Sequence, residues 1–147
     1  MDILNKVKND RETEKQLGWE GTFAEYLELV KENPTIAQTA HSRVYNMIKS
    51  AGVTERDNKK MYQFFGSAIF GLESAIQSLV EEYFHPAARR LDVRKRILLL
   101  MGPVSGGKST IVSLLKRGLE QYSRTDEGAV YAIKGCPMHE DPLHLIP

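Results

Sequence analysis

The sequence predicts an α/β chain: a mostly helical first region, followed by a βαβ unit built around a glycine-rich loop. Three observations carry this expectation. Apolar residues recur at spacings of three and four as far as Tyr83, which marks helical faces. The period then gives way to a continuous apolar run, Ile97-Leu98-Leu99-Leu100-Met101, as in a short strand buried on both faces. That run opens directly into Gly102-Pro103-Val104-Ser105-Gly106-Gly107-Lys108-Ser109, which fits G-x-x-x-x-G-K-[ST] without a mismatch. The back half is thus expected to be the start of a P-loop NTPase core.

The elements follow in order. The first 20 or so residues are highly charged with scattered apolar positions, and read as a surface helix or a loosely held arm. Thr22-Phe23-Ala24-Glu25 is a capping box, and Phe23, Tyr26, Leu27 and Val30 then share one helical face. Asn33-Pro34 ends that helix and starts the next, with Asn33 as cap and Pro34 in the first turn. Ile36, Ala40, Val44, Met47, Ile48 and Ala51 continue the period, and Gly52 stops it. Thr54 to Lys60 is polar and reads as a loop or linker. A third helix carries Leu72, Ile76, Leu79, Val80 and Tyr83 on one face, and His85-Pro86 closes it. After the glycines, Ile111, Leu114, Leu115 and Leu119 mark a helix. Ala129 to Ile133 read as a second strand.

Composition narrows the function classes. The 147 residues hold 20 Lys+Arg against 19 Asp+Glu, a net charge of +1. That balance gives no reason to expect nucleic acid as a partner. No apolar run exceeds the five residues Ile97–Met101, far short of the roughly 20 that span a bilayer, so no membrane partner is expected. The one cysteine, Cys136, cannot form an internal disulfide, and a cytoplasmic setting is the simplest expectation.

The loop carries the clearest chemistry. A triphosphate presents many acceptors in a small volume, and a tightly curled backbone offers matching N–H donors. Gly106 and Gly107 permit the curl and the close approach. The following helix adds its unpaired N–H groups and its dipole. Lys108 would reach the β- and γ-phosphates, the Ser109 hydroxyl would be a Mg2+ ligand, and Thr110 would lie near the α-phosphate. The bland alternative is a glycine turn that holds no ligand.

Two other stretches are weaker. Cys136, His139, Glu140, Asp141 and His144 are residue types that can bind zinc, but two prolines break any helix that would present them together. A plain loop is the expectation, with Cys136 a small packed residue. The basic run Arg89–Arg96 lies before the first strand, at the end of the sheet away from the loop. It reads as a solvated or packing surface.

The segment from Ile69 through Glu120, "IFGLESAIQSLVEEYFHPAARR…RILLLMGPVSGGKSTIVSLLKRGLE", resembles the AAA-type ATPase core. With "YAIKGCPMHEDPLHLIP" after it, the chain resembles the PrkA family of bacterial serine protein kinases, from about Gly18 to Pro147. The resemblance is to the N-terminal part of longer proteins. It implies ATP and Mg2+ as cofactors, held at Gly102, Pro103, Val104, Ser105, Gly106, Gly107, Lys108, Ser109 and Thr110. It places Phe70, Gly71 and Leu72 beside the adenine, and implies transfer of phosphate from ATP to a protein serine. Domains are then expected at 1–68, a helical region, and 69–147, the first part of an AAA-type ATP-binding domain.

No run of four apolar residues followed by Asp-Glu comes after the second strand. The acid that would complete Mg2+ binding, a sensor residue and an arginine finger are therefore expected beyond this chain, and the fragment alone is expected to be inactive. His-Arg-Asp and Asp-Phe-Gly signatures are also absent from the sequence. Two alternatives stay open, because fold does not fix function. One is an AAA-type machine that unfolds or cleaves protein. The other is a non-catalytic interaction module. A lone βαβ unit exposes apolar edges, which favours self-association into a homo-oligomer.

Overall fold

The computed structural model describes residues 18–56, 59–66, 68–89, 97–103 and 106–146. The arm expected at the N-terminus falls largely outside them, as do Val104, Ser105 and the basic run beyond Arg89. Two compact units are present. One combines the chain up to Gln38 with the chain from Gln121 on; the other is Thr39–Glu120.

In the first unit, helix α1 spans Phe23–Glu32. The capping box forms as expected: the Glu25 N–H donates to Thr22 Oγ1 at 3.3 Å, and the Thr22 N–H donates to Glu25 Oε2 at 2.6 Å. The Thr22 N–H, and after it the Thr22 hydroxyl donating to Glu25 Oε2 at 2.8 Å, hold the Glu25 carboxyl below its ordinary range. Tyr26 is buried, with Phe23, Leu27 and Val30 half-buried beside it. Asn33 caps only a 3₁₀ turn, Pro34–Ala37. A separate cap, Thr39, then starts α2, Ala40–Ser50. The period read as one helix from Pro34 is therefore broken at Gln38-Thr39, where the Thr39 side chain takes up the Ser42 N–H.

The second unit begins with α2. Gly52, at φ +108°, ends it as expected. The stretch expected to be a loop is instead an antiparallel hairpin, β1 Val53–Arg56 and β2 Lys59–Tyr62. Val53 faces Tyr62 and Glu55 faces Lys60. Its polar sequence hid it. Among the described residues of the hairpin only Tyr62 is buried, so the period-two alternation of a half-buried strand is missing. Opposite charges across the pair favour the register instead.

A short α3, Gln63–Gly66, comes next, with Phe65 buried. Then come α4, Glu73–Ser78, a π-helical turn, Leu79–Phe84, and α5, His85–Ala88. His85-Pro86 does not close the helix. The His85 N–H reaches the Val80 carbonyl, five residues back. Proline brings no N–H and its ring crowds the preceding turn; the widened turn makes room, and the helix continues to Ala88. The Ser42 hydroxyl donates to the Ala88 carbonyl at 2.8 Å, tying α2 to the end of α5. Met47, Ile48, Phe65, Ile76, Val80 and Phe84 form the core.

Helix α6 spans Lys108–Tyr122. Ile111 is buried, and Leu114, Leu115 and Leu119 are half-buried on the same face. A Cβ at Gly118 would lie 2.5 Å from the Phe64 ring and 3.0 Å from the Met47 sulfur. Glycine is therefore what lets α6 come this close to Phe64 and Met47.

The expected βαβ unit is not confirmed. Among the described residues the sheet has two strands, β1 and β2, and neither Ile97–Met101 nor Ala129–Ile133 joins a ladder. Ile97, Leu99 and Met101 are 87, 75 and 83% exposed, while Leu98 and Leu100 are half-buried. The alternation of a strand persists without the pairing. An apolar run becomes a parallel strand only when neighbouring strands bond its backbone and layers cover both faces. What stands is a mixed fold of helices with a small two-stranded sheet.

Candidate functional site

The chain arrives at the glycine loop through Met101 and turns into α6 at Lys108. Gly107 sits just before the helix at φ +77°, a left-handed conformation that costs an L side chain roughly 1–2 kcal/mol. Its carbonyl accepts from the Ile111 N–H at 2.9 Å, the first bond of the helical ladder. Glycine in this capping position has no side chain to occupy the first N–H groups of α6, which have no carbonyl four residues back within the helix. Burial of Ile111 anchors that first turn.

Gly106 meets a different demand. Its N–H donates to the Pro103 carbonyl at 3.2 Å, and a Cβ on Gly106 would stand 3.0 Å from that same oxygen. The loop thus folds back on itself where only a hydrogen fits easily. The Lys108 side chain closes it. Its Nζ donates to the Gly102 carbonyl at 2.8 Å and to the Pro103 carbonyl at 2.5 Å. The ammonium is therefore held over the curl of the loop. Ser109 and Thr110 lie in the first turn of α6, both exposed. Val104 and Ser105 lie outside the described residues.

Of the segment expected near a base, one residue, Leu72, reaches the loop. A Cβ at Gly107 would be 3.3 Å from Leu72 Cδ1, so Leu72 packs directly against the Gly107-Lys108 turn. Phe70 is exposed. Gly71 adopts φ +77°, and its N–H donates to Glu73 Oε1 at 3.1 Å. The backbone N–H groups of Glu73 itself and of Gly71 hold the Glu73 carboxyl below its ordinary range.

One cluster in this unit was not legible as a site. Glu81, on the π-helical turn, accepts from the Tyr62 hydroxyl and from Lys60 Nζ, the latter at 3.0 Å. Partial burial pushes the Glu81 carboxyl up, but the bonds from Tyr62 and Lys60 prevail and hold it below its ordinary range. Burial, and then the bond to Glu81, push the Tyr62 phenol up. The residues come from a hairpin and a helix some 20 positions apart, and no spacing in the sequence marks them as partners.

In the first unit, the Cys136–His144 stretch folds as successive turns. The Cys136 N–H donates to the Ile133 carbonyl at 3.1 Å, and the His139 N–H to the Cys136 carbonyl at 3.1 Å. Asp141 Oδ1 accepts from the Leu143 N–H at 2.8 Å and starts a 3₁₀ turn, Pro142–Leu145. Among the described residues no three His, Cys, Asp or Glu side chains converge as metal ligands would. No helix among them is long and apolar enough to cross a membrane.

Comparison with known proteins bears on this geometry. The family described as "PrkA AAA domain" matches residues 21–147. Across all 147 residues the chain is 71% identical to the ATP-dependent protease PrkA of Bacillus subtilis (strain 168), of which it covers 23%. It is 67% identical over 97 residues to an uncharacterized protein in the gldA 5′ region of Geobacillus stearothermophilus, which is 66% of this chain and the whole of that one. It is 36% identical over 93 residues to the serine/threonine kinase YeaG of Escherichia coli (strain K12), 63% of this chain and 13% of that protein. The chain thus spans under a quarter of the length of the B. subtilis relative. No solved structure matches. A family match over residues 21–147, joined to 71% identity along the full chain, means that this chain belongs to the PrkA AAA domain family.

Proposed function

We propose that the chain carries the ATP-gripping part of a serine protein kinase built on an AAA-type core. The observation that carries this reading is Lys108, on the first residue of a glycine-capped helix, with its ammonium folded over the carbonyls of Gly102 and Pro103. Those partners are neutral dipoles. A phosphate oxygen is an ionised acceptor, so its bond to the ammonium adds a charge–charge attraction that a neutral carbonyl lacks. The loop is therefore suited to exchange its own carbonyls for an anion.

The residues present fit ATP with Mg2+. The N–H groups of Gly107 and Lys108, and that of Gly106 once released from the Pro103 carbonyl, would hold the phosphates, with Lys108 Nζ on the outer two. The Ser109 hydroxyl would bind the metal, Thr110 would lie by the α-phosphate, and Phe70, Gly71 and Leu72 would flank the base. ATP would supply the phosphoryl group that passes to a serine hydroxyl. This chain's own part is to bind and orient; the groups that activate the acceptor lie among residues it does not contain. The name of the E. coli relative, a serine/threonine kinase, supports this choice of reaction.

A second reading, ATP-driven proteolysis, has the printed name of the B. subtilis relative behind it. One experiment separates the two. The longer parent protein, wild type and Lys108→Ala, is given Mg-ATP and a mixture of protein substrates. Label from the γ-phosphate appearing on protein serine, lost in Lys108→Ala, is the expected result. Cleavage without label favours the protease. Equal ATP affinity in wild type and Lys108→Ala overturns the assignment of the loop to phosphate, and no nucleotide-dependent thermal shift in either leaves a non-catalytic interaction module.

A further inference from the structure

The first unit contains an open cleft of about 850 Å3, lined by residues from α1, the segments flanking it, and the stretch Ala129–Lys134. Its volume is that of a ligand-binding site. Aromatic rings dominate one wall. Trp19 meets Tyr131 edge to face at 5.5 Å, and Tyr131 meets Tyr26 at 5.4 Å. Phe23 stacks with Tyr26 at 6.5 Å. Trp19 is 41% exposed, so its ring is accessible from the cleft.

The charges point the same way. Among the described residues, Glu20, Glu32 and Asp126 line the cleft against a single cation, Lys134. Lys134 is already paired with Glu20 at 2.7 Å. Among the described residues no ion pair involves Glu32 or Asp126. Among the described residues, the cleft thus combines aromatic faces with two carboxylates, Glu32 and Asp126, that no cation pairs. A guanidinium suits both: it lies flat on an aromatic face and donates from its edge to carboxylate oxygens.

We propose that this cleft binds an arginine side chain presented by a basic peptide segment of a partner protein. A purely apolar occupant would cover Glu32 and Asp126 without offering them a donor, which costs free energy. The cleft's size admits several residues of peptide around the arginine, so the occupant is a segment of chain and not a free cation. The inference goes beyond the nucleotide reading and stands without it, since no residue of the glycine loop takes part.

Trp19 is the sole tryptophan of the 147 residues, which makes the site directly readable. The chain is titrated, without nucleotide, with an octapeptide containing two arginines, and Trp19 fluorescence is followed. A saturable change is expected. Replacing the arginines by citrulline, which keeps shape and removes charge, should weaken binding about tenfold or more. Glu32→Gln with Asp126→Asn should do the same in the protein; both side chains are exposed, so the fold is expected to survive, as circular dichroism would verify. Equal affinity for the citrulline peptide overturns the proposal. So does equal affinity for free arginine amide, which would mean a small-cation site, and so does the absence of any response at millimolar peptide. A concentration-dependent dimer that abolishes the response would mean that a second copy fills the cleft, and also overturns it. None of these outcomes bears on ATP binding, whose failure is read separately from Lys108→Ala.

Discussion

Lys108 Nζ lies 2.8 Å from the carbonyl oxygen of Gly102, six residues earlier in the chain, and 2.5 Å from that of Pro103. Two backbone carbonyls thus hold the ammonium across the loop it follows. Lys108→Ala should lower Mg-ATP affinity by about 10- to 100-fold, the range expected for losing charge-assisted hydrogen bonds. Folding stability should change by less than about 1 kcal/mol, because both bonds are exposed to water. Isothermal titration and urea unfolding of the same variant check the two halves. Unchanged affinity would sink the assignment of Lys108 to phosphate.

Gly71 and Gly107 share φ +77° but differ in surroundings. A Cβ at Gly71 meets nothing within 4 Å, whereas one at Gly107 would lie 3.3 Å from Leu72 Cδ1. Both Gly→Ala variants should lose roughly 1–2 kcal/mol from backbone strain. Gly107→Ala should lose more, since Leu72 must also give way. Leu72→Ala in the Gly107→Ala background should recover that difference. Equal unfolding free energies for the two single variants would mean that Leu72 does not press on the turn.

Gly118→Ala tests the seat of α6. Alanine is the better helix former by nearly 1 kcal/mol, yet its methyl would enter the space of the Phe64 ring at 2.5 Å. Overpacking of that degree costs about 1–3 kcal/mol. We expect net destabilisation, relieved by Phe64→Leu, in thermal unfolding. A more stable Gly118→Ala would show that propensity outweighs the contact.

The Tyr62–Glu81–Lys60 cluster should make stability fall at both ends of the pH scale. Glu81 has its carboxyl pKa lowered by folding. Its contribution is therefore full above the unfolded value, about 4.3, and is lost as pH falls through the folded value. Tyr62 is raised. Its contribution is full below about 10 and is lost as pH climbs from there toward the folded value. Glu81→Gln should flatten the acid limb, and Tyr62→Phe the alkaline one, with Tyr62→Phe costing about 1 kcal/mol at neutral pH. Urea midpoints across pH read both. Variant profiles parallel to wild type would mean that other groups set the pH dependence.

Much of the local structure was legible because it depends on near neighbours. Thr22 and Glu25 form their capping box, Gly52 stops α2, and α6 begins at Lys108 with Ile111 turned inward. Each rests on backbone bonds within a few residues. Some misread positions are just as local, but their residue types did not announce the outcome: the Thr39 cap holds Ser42 three residues on, where one continuous helix was expected. A polar stretch paired as a hairpin through Glu55 and Lys60, and a proline expected to end a helix was absorbed by a π turn. The apolar runs Ile97–Met101 and Ala129–Ile133 stayed out of any ladder.

By itself, then, the sequence determined family membership, the Thr22–Glu25 capping box, the Gly52 stop and the glycine turn that leads into α6, because identity and much short-range geometry are written residue by residue. Tertiary structure alone decided that Leu72 packs on Gly107, that Glu81 gathers Tyr62 and Lys60, and that four aromatic rings and three carboxylates share a cleft. The reason is physical. A cap or a turn is fixed by bonds within one or two turns of chain, whereas burial, pairing and charge clustering depend on which distant segments arrive at the same place.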